Sequence, residues 1–74
     1  METNYYNVCI TVMSMVNANG HKENIPFKSK WSARYMAKKY FSCIDVEEVL
    51  VTDELTGEVI YSNEKGGEEY DSEG

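Results

Sequence analysis

NANGHKENIPF, residues 17–27, decides how this chain folds back on itself. Asn19-Gly20 lies between two runs with the alternation of extended strands. A type I′ hairpin turn needs positive φ at both central residues, and Asn-Gly supplies it best. Upstream, 5–16 places Tyr6, Val8, Ile10, Val12 and Val16 on one face, with Ser14 the exception. Asn7, Cys9, Thr11, Met13 and Met15 fall on the other. A tight turn sets Ala18 opposite His21, Ser14 opposite Ile25 and Val12 opposite Phe27, so both apolar residues join the apolar face. Pro26 donates nothing to a ladder, which predicts an edge strand there.

Beyond the hairpin, 29–43 reads as a helix with Ser29 as N-cap. Ala33, Met36, Ala37, Tyr40 and Ile44 converge on one side, flanked by Phe41 and Cys43, and form the expected core stripe. Trp31, Arg34, Tyr35, Lys38 and Ser42 lie opposite. A third strand is expected over 46–52 and a fourth over 58–62, with Gly57 supplying positive φ in the turn between them. A loop over 54–57 sets Val51 opposite Ile60 and Leu50 opposite Tyr61. From Asn63 onward the periodicity ends. The expected fold is α+β, a β-hairpin–helix–β-hairpin (ββαββ) with one helix on a four-stranded sheet. It spans 1–63, and 64–74 is read as a flexible, disordered acidic tail. A right-handed parallel crossover is expected if the second and third strands share the sheet, and the strand order is open.

The chain has 74 residues, two cysteines and a net charge of −6. A domain this short buries little core and often recruits a staple or a partner. Cys9 and Cys43 read as two buried free thiols, with a disulfide as the alternative. With His21 they fall short of a structural zinc site, so no metal and no cofactor are expected. The first sixteen residues lack the basic start of a secretory leader, and no stretch is long and apolar enough for a membrane span. A cytoplasmic location is therefore expected. Charge is segregated: 22–39 holds six bases and one acid, whereas 45–63 holds six acids and no base. A net acidic chain is poorly suited to neutralising phosphates.

Three surfaces are candidates for function. Trp31 and Tyr35, four residues apart and flanked by Lys30, Arg34 and Lys38, could dock a protein or stack nucleic-acid bases. The sheet face away from the helix, with Met13 and Met15, could close a homodimer. The acids of the C-terminal half, Asp45, Glu47, Glu48, Asp53, Glu54 and Glu58 and then Glu64, Glu68, Glu69, Asp71 and Glu73, could solvate the surface, pair with the basic helix, or imitate the charge row of a nucleic acid. No catalytic residues are assigned: His21 has no nucleophile near it, and no hydrolase, metalloprotease or P-loop motif is present.

Ala37 to Tyr40, Val46 to Val49 and Thr56 to Tyr61, within KSKWSARYMAKKYF…DVEEVLVTDELTGEVIYSN, resemble short acidic proteins encoded by phages and mobile elements. That class includes inhibitors of bacterial immunity such as anti-CRISPR and anti-restriction proteins. The resemblance implies a non-enzymatic protein that binds a host effector or nucleic-acid-binding protein. The resemblance carries over no site residue; from the charge and apolar pattern, the expected contacts are Glu47, Glu48, Asp53, Glu54 and Glu58 for attraction, with Trp31 and Tyr35, or Met13 and Met15, as apolar anchor. The alternatives are a nucleic-acid-binding module on the Trp31/Arg34/Tyr35/Lys38 face and a structural or regulatory homodimer.

Overall fold

A computed structural model describes residues 5–13 and 20–73. The elements in chain order are β1 (Tyr6–Val12), β2 (His21–Phe27), α1 (Lys30–Phe41), β3 (Val46–Asp53), β4 (Val59–Glu64) and β5 (Tyr70–Asp71). They form an α+β fold: an antiparallel five-stranded sheet ordered β2-β1-β3-β4-β5, with α1 packed on one face. Strands β2 and β3 both run antiparallel to β1 from either side, so they are parallel to each other without pairing. Edge strand β2 carries Pro26, where its missing N–H leaves no ladder bond unmade.

The first hairpin exists, but its register differs from a tight turn at Asn19-Gly20. Val12 faces His21 and Tyr6 faces Phe27, a slide of six residues from the expected Val12–Phe27 pairing. An even slide keeps every side chain on its expected face. It also sets Ile25 against Val8 instead of Ser14, pairing apolar with apolar. Gly20 does adopt positive φ, at 72°, and a Cβ there would collide with Met13 Sδ and Val12 O. Asn19, and the expected strand positions Ser14, Met15 and Val16, lie outside the described residues.

Helix α1 begins where expected: Ser29 is extended (φ −115°, ψ 132°) and its Oγ accepts from Ser32 N at 3.3 Å. Ala33 and Ala37 are fully buried, and their small side chains let the helix lie close against Val8, Val49 and Val51, which are fully buried too. Two parts of the expected stripe are corrected. The helix stops at Phe41, and turns at 42–45 break its phase, so Ile44 is 92 % exposed and Cys43 is exposed. Arg34, expected on the outer face, is only 7 % exposed. It sits about 100° around the helix from Ala33, at the flank of the stripe, where β5 covers it. Both cysteines are free, with Cys9 half-buried rather than in the core.

Gly57 takes φ 78° in the β3–β4 turn, as expected. The register starts as expected, with Thr52 opposite Val59. A bulge then shifts it, so Val51 faces Tyr61 and Leu50 faces Ser62. The shift permits consecutive Ile60 and Tyr61 both to be buried, which strict alternation forbids. The segment from 64 on departs from the expected flexible tail. Chain reversal at Lys65-Gly66-Gly67, with Gly66 at φ 84° and Gly67 N donating to Glu64 O at 3.0 Å, brings β5 alongside β4. Low hydrophobicity suggested disorder there, but ion pairing to α1 supplies what apolar burial does not.

Candidate docking surface

Two adjacent rows across the sheet define its two faces. One row, Ile25–Val8–Val51–Tyr61–Asp71, faces the helix. The next, Asn24–Cys9–Leu50–Ser62–Tyr70, faces away from it. Sheet face therefore separates groups that the sequence reading placed together.

On the helix side, Asp71 is clasped by Arg34. Arg34 Nε donates to Asp71 Oδ1 at 3.1 Å, and Arg34 Nη2 donates to Oδ1 at 2.8 Å and to Oδ2 at 2.6 Å. Lys38 Nζ lies 3.3 Å from Asp71 Oδ2, and Lys30 Nζ 3.8 Å from Glu73 Oε2. Lys30, Arg34 and Lys38 are spaced at four residues, so they form one row along the flank of α1. The hydrogen bonds from Arg34 hold the Asp71 carboxyl down at about 2, against an ordinary 3.8, and the Asp71 hydrogen bond raises the guanidinium in turn. Arg34 also lies 4.8 Å from the Trp31 ring centroid. Trp31 is 65 % exposed and Tyr35 is similarly open, so both remain on the outer surface. Lys39 Nζ stands 5.6 Å from the Tyr35 ring. The basic row is thus engaged by the chain's own C-terminal acids, and Arg34 is not presented to a phosphate.

Next to the clasp, Tyr61 OH donates to Glu69 Oε2 at 2.6 Å and accepts from Asn63 Nδ2 at 3.5 Å. Burial, then the Glu69 bond, pushes the phenol up from 10.0 to about 12. A raised value means that neutral Tyr61 adds stability below pH 10.0, which is lost as pH rises toward about 12. Tyr61→Phe is expected to cost about 1 kcal/mol at neutral pH. The gap between the two proteins should close over that alkaline window, as read from denaturant unfolding at a series of pH values.

The outward face carries the free acids. Glu48 lies opposite Glu64, and both line a shallow cleft with Leu50, Ser62, Asn63 and Glu68. Like charges directly opposite in a sheet are destabilising. Glu48 Oε1 accepts from Thr11 Oγ1 at 3.4 Å, and no base pairs with Glu48, Glu64 or Glu68 among the described residues. Leu50, 36 % exposed, and Tyr70, 50 % exposed, stand on either side of Ser62 beside this cleft.

The remaining sequence candidates are dispersed. Glu47 occupies a second bulge, between the Thr11–Glu48 and Val12–Val46 pairs, and is exposed. Glu54 and Glu58 are exposed at the far end of β3, about 20 Å along the strand from Glu48 at ~3.3 Å per residue. Asp53 is used locally: its Oδ1 accepts from Leu55 N at 2.9 Å and Thr56 N at 3.4 Å, shaping the turn. Met13 is half-buried and packs beside Gly20, and Met15 lies outside the described residues. Glu64 and Glu68 belonged to the acidic set and Leu50 to the open face in sequence, but Tyr70 was not singled out, although Lys65-Gly66-Gly67 is a turn signal that could have placed it beside them.

Among the described residues no group of three or more His, Cys, Asp or Glu is arranged to hold a metal ion, and no helix is long and apolar enough to cross a membrane. Lys65, the only base after Lys39, donates through Nζ to Cys43 O at 2.6 Å and Ile44 O at 3.3 Å. It therefore ties the β4–β5 turn to the end of α1 and leaves the outward acids without a neighbouring cation. Comparison of the chain with family models, curated proteins and solved structures returned no match.

Proposed function

We propose that this chain is a non-enzymatic interaction protein, of the kind phages and mobile elements use as inhibitors. It docks its outward sheet face on a basic surface of a host protein. The observation that carries this reading is the division of the acids. Asp71 and Glu73 are neutralised by α1, while Glu48, Glu64 and Glu68 converge without a cation. Bringing carboxylates together without a counter-ion costs stability, and a cationic partner would recover that cost on binding. Leu50 and Tyr70 supply the apolar contact that charge alone lacks, in place of Trp31 and Tyr35 on the other side of the sheet.

A basic surface that attracts clustered carboxylates also attracts nucleic acid, so the favoured partner is a nucleic-acid-handling effector. Captured from host lysate on the immobilised chain, that partner should be released by added duplex oligonucleotide. Its binding should also weaken steeply with salt. A ternary complex of chain, partner and oligonucleotide would overturn the mimicry. Direct, salt-sensitive binding of the free chain to the oligonucleotide would favour the nucleic-acid module instead.

A further inference from the structure

The C-terminal arm, residues 68–73, shows its two sides to two different surfaces. Glu69, Asp71 and Glu73 reach the helix side, where Tyr61 OH, then Arg34 with Lys38, then Lys30 hold them. Tyr70 faces outward opposite Ser62, and Glu68 lines the outward cleft with Glu48 and Glu64. Strand alternation thus puts the arm's side-chain anchors on one face of the sheet and its share of the docking surface on the other.

Little else keeps the arm in place. No side chain of residues 65–73 belongs to the core. β5 pairs with β4 at two positions, Tyr61–Asp71 and Ser62–Tyr70, and Ser72 N adds one bond to Ile60 O at 2.9 Å. Pairing this short is marginal without support from side chains. Among the anchors, only Arg34 makes several bonds to one partner, at 2.6, 2.8 and 3.1 Å to the Asp71 carboxylate, with both side chains mostly buried. The Lys30–Glu73 pair is longer, at 3.8 Å, and more open.

We infer that Arg34 is a positioning residue for the docking surface on the far side of the sheet: by gripping Asp71 it keeps Tyr70 and Glu68 in place beside Ser62. What the surface binds rests on the docking reading above; what holds it rests on these contacts alone. Without the grip the arm lifts. The outward face then keeps Glu48, Leu50 and Glu64, which β3 and β4 carry, and loses Tyr70 and Glu68. Such coupling is reciprocal, so a cationic ligand seated on Tyr70 and Glu68 tightens the grip in return.

Asp71→Asn in the full chain tests this, with interproton contacts read by NMR where the variant is folded. The Ser62–Tyr70 contact is expected to vanish, while Val8–Val51 and Val51–Tyr61 persist. A decalysine peptide serves as the cationic probe. It is expected to bind Asp71→Asn about tenfold more weakly than the unaltered chain. Glu54→Gln, which removes the same charge at the far end of β3, should bind it nearly as well as the unaltered chain does. A surviving Ser62–Tyr70 contact overturns the inference. So does loss of all three contacts, which would make the grip a prop of the whole sheet, and so does an arm that lifts with no change in peptide affinity. Should the peptide fail to bind the unaltered chain, the docking reading falls, and the contact pattern still decides whether Arg34 places Tyr70. If Asp71→Asn does not fold, Arg34→Lys decides, because an ammonium keeps the charge but cannot fork. A weakened Ser62–Tyr70 contact is expected there, and an unchanged one overturns the inference.

Discussion

Arg34→Ala should lower the folding stability of this chain by about 2–3 kcal/mol, because it leaves a mostly buried carboxylate without its main partner. The domain has little to lose: about 5 kcal/mol is an ordinary total at this length. A fall of roughly 10 °C or more in melting temperature follows. The Asp71 carboxyl is held at about 2 against an ordinary 3.8, chiefly by the Arg34 hydrogen bonds, with burial opposing and the Glu73 N–H and Lys38 adding to it. A depressed value means that this stability is present above pH 3.8 and is lost as pH falls toward about 2. Asp71→Asn should remove most of that acid-side slope. The double variant should cost much less than the sum of the single ones, since the two residues share one interaction. Urea unfolding of the four proteins at neutral and acid pH checks all three statements. A neutral Arg34→Ala, or additive single effects, would show that the clasp contributes nothing.

That clasp also marks where the sequence stopped being legible. The hairpin–helix–hairpin order, the N-cap at Ser29, the edge at Pro26 and the positive φ at Gly57 all follow from local rules: a side chain that caps, a ring without an N–H, a residue without a Cβ. These depend on neighbours in sequence, so a single chain reveals them. The register of the first hairpin did not follow, because Asn19-Gly20 is a strong local signal overruled by the fit of Ile25 to Val8. Tyr61 faces the core through a bulge that alternation alone cannot place. Arg34 looked exposed because what covers it lies 37 residues away, in a segment whose composition read as solvent-loving.

The candidate site shows the same division. Charge segregation was visible in sequence, and pairing of acids with the chain's own helix was one of its open readings. Asp71 and Glu73 take that role, while Glu48 stays free. The expected grouping of Glu48 with Trp31 was not kept, since strand parity and helix phase put them on opposite sides of the sheet. Parity is set by pairing register, and register is a tertiary property.

The second large effect concerns the outward acids. Glu64→Lys together with Glu68→Lys should reduce capture of the host partner by about a hundredfold or more while leaving the fold intact or slightly more stable. Two reversals move the net charge by four units, from −6 to −2. Each converts an attraction across the interface into a repulsion, and charge changes of this kind typically act on association rate and on salt dependence. Stability moves the other way. The ammonium introduced by Glu64→Lys would stand opposite Glu48, replacing a like-charge pair with an opposite one for a gain of up to about 1 kcal/mol. That opposition separates docking from solvation. Were the acids there only to keep the chain in solution, the reversed protein would be as stable or more so and would capture the partner unchanged. Binding kinetics and urea unfolding, measured on one preparation, give both readings. Lost capture in a stabilised protein would mean that Glu48 and Glu64 face each other at the expense of the fold because a partner uses them.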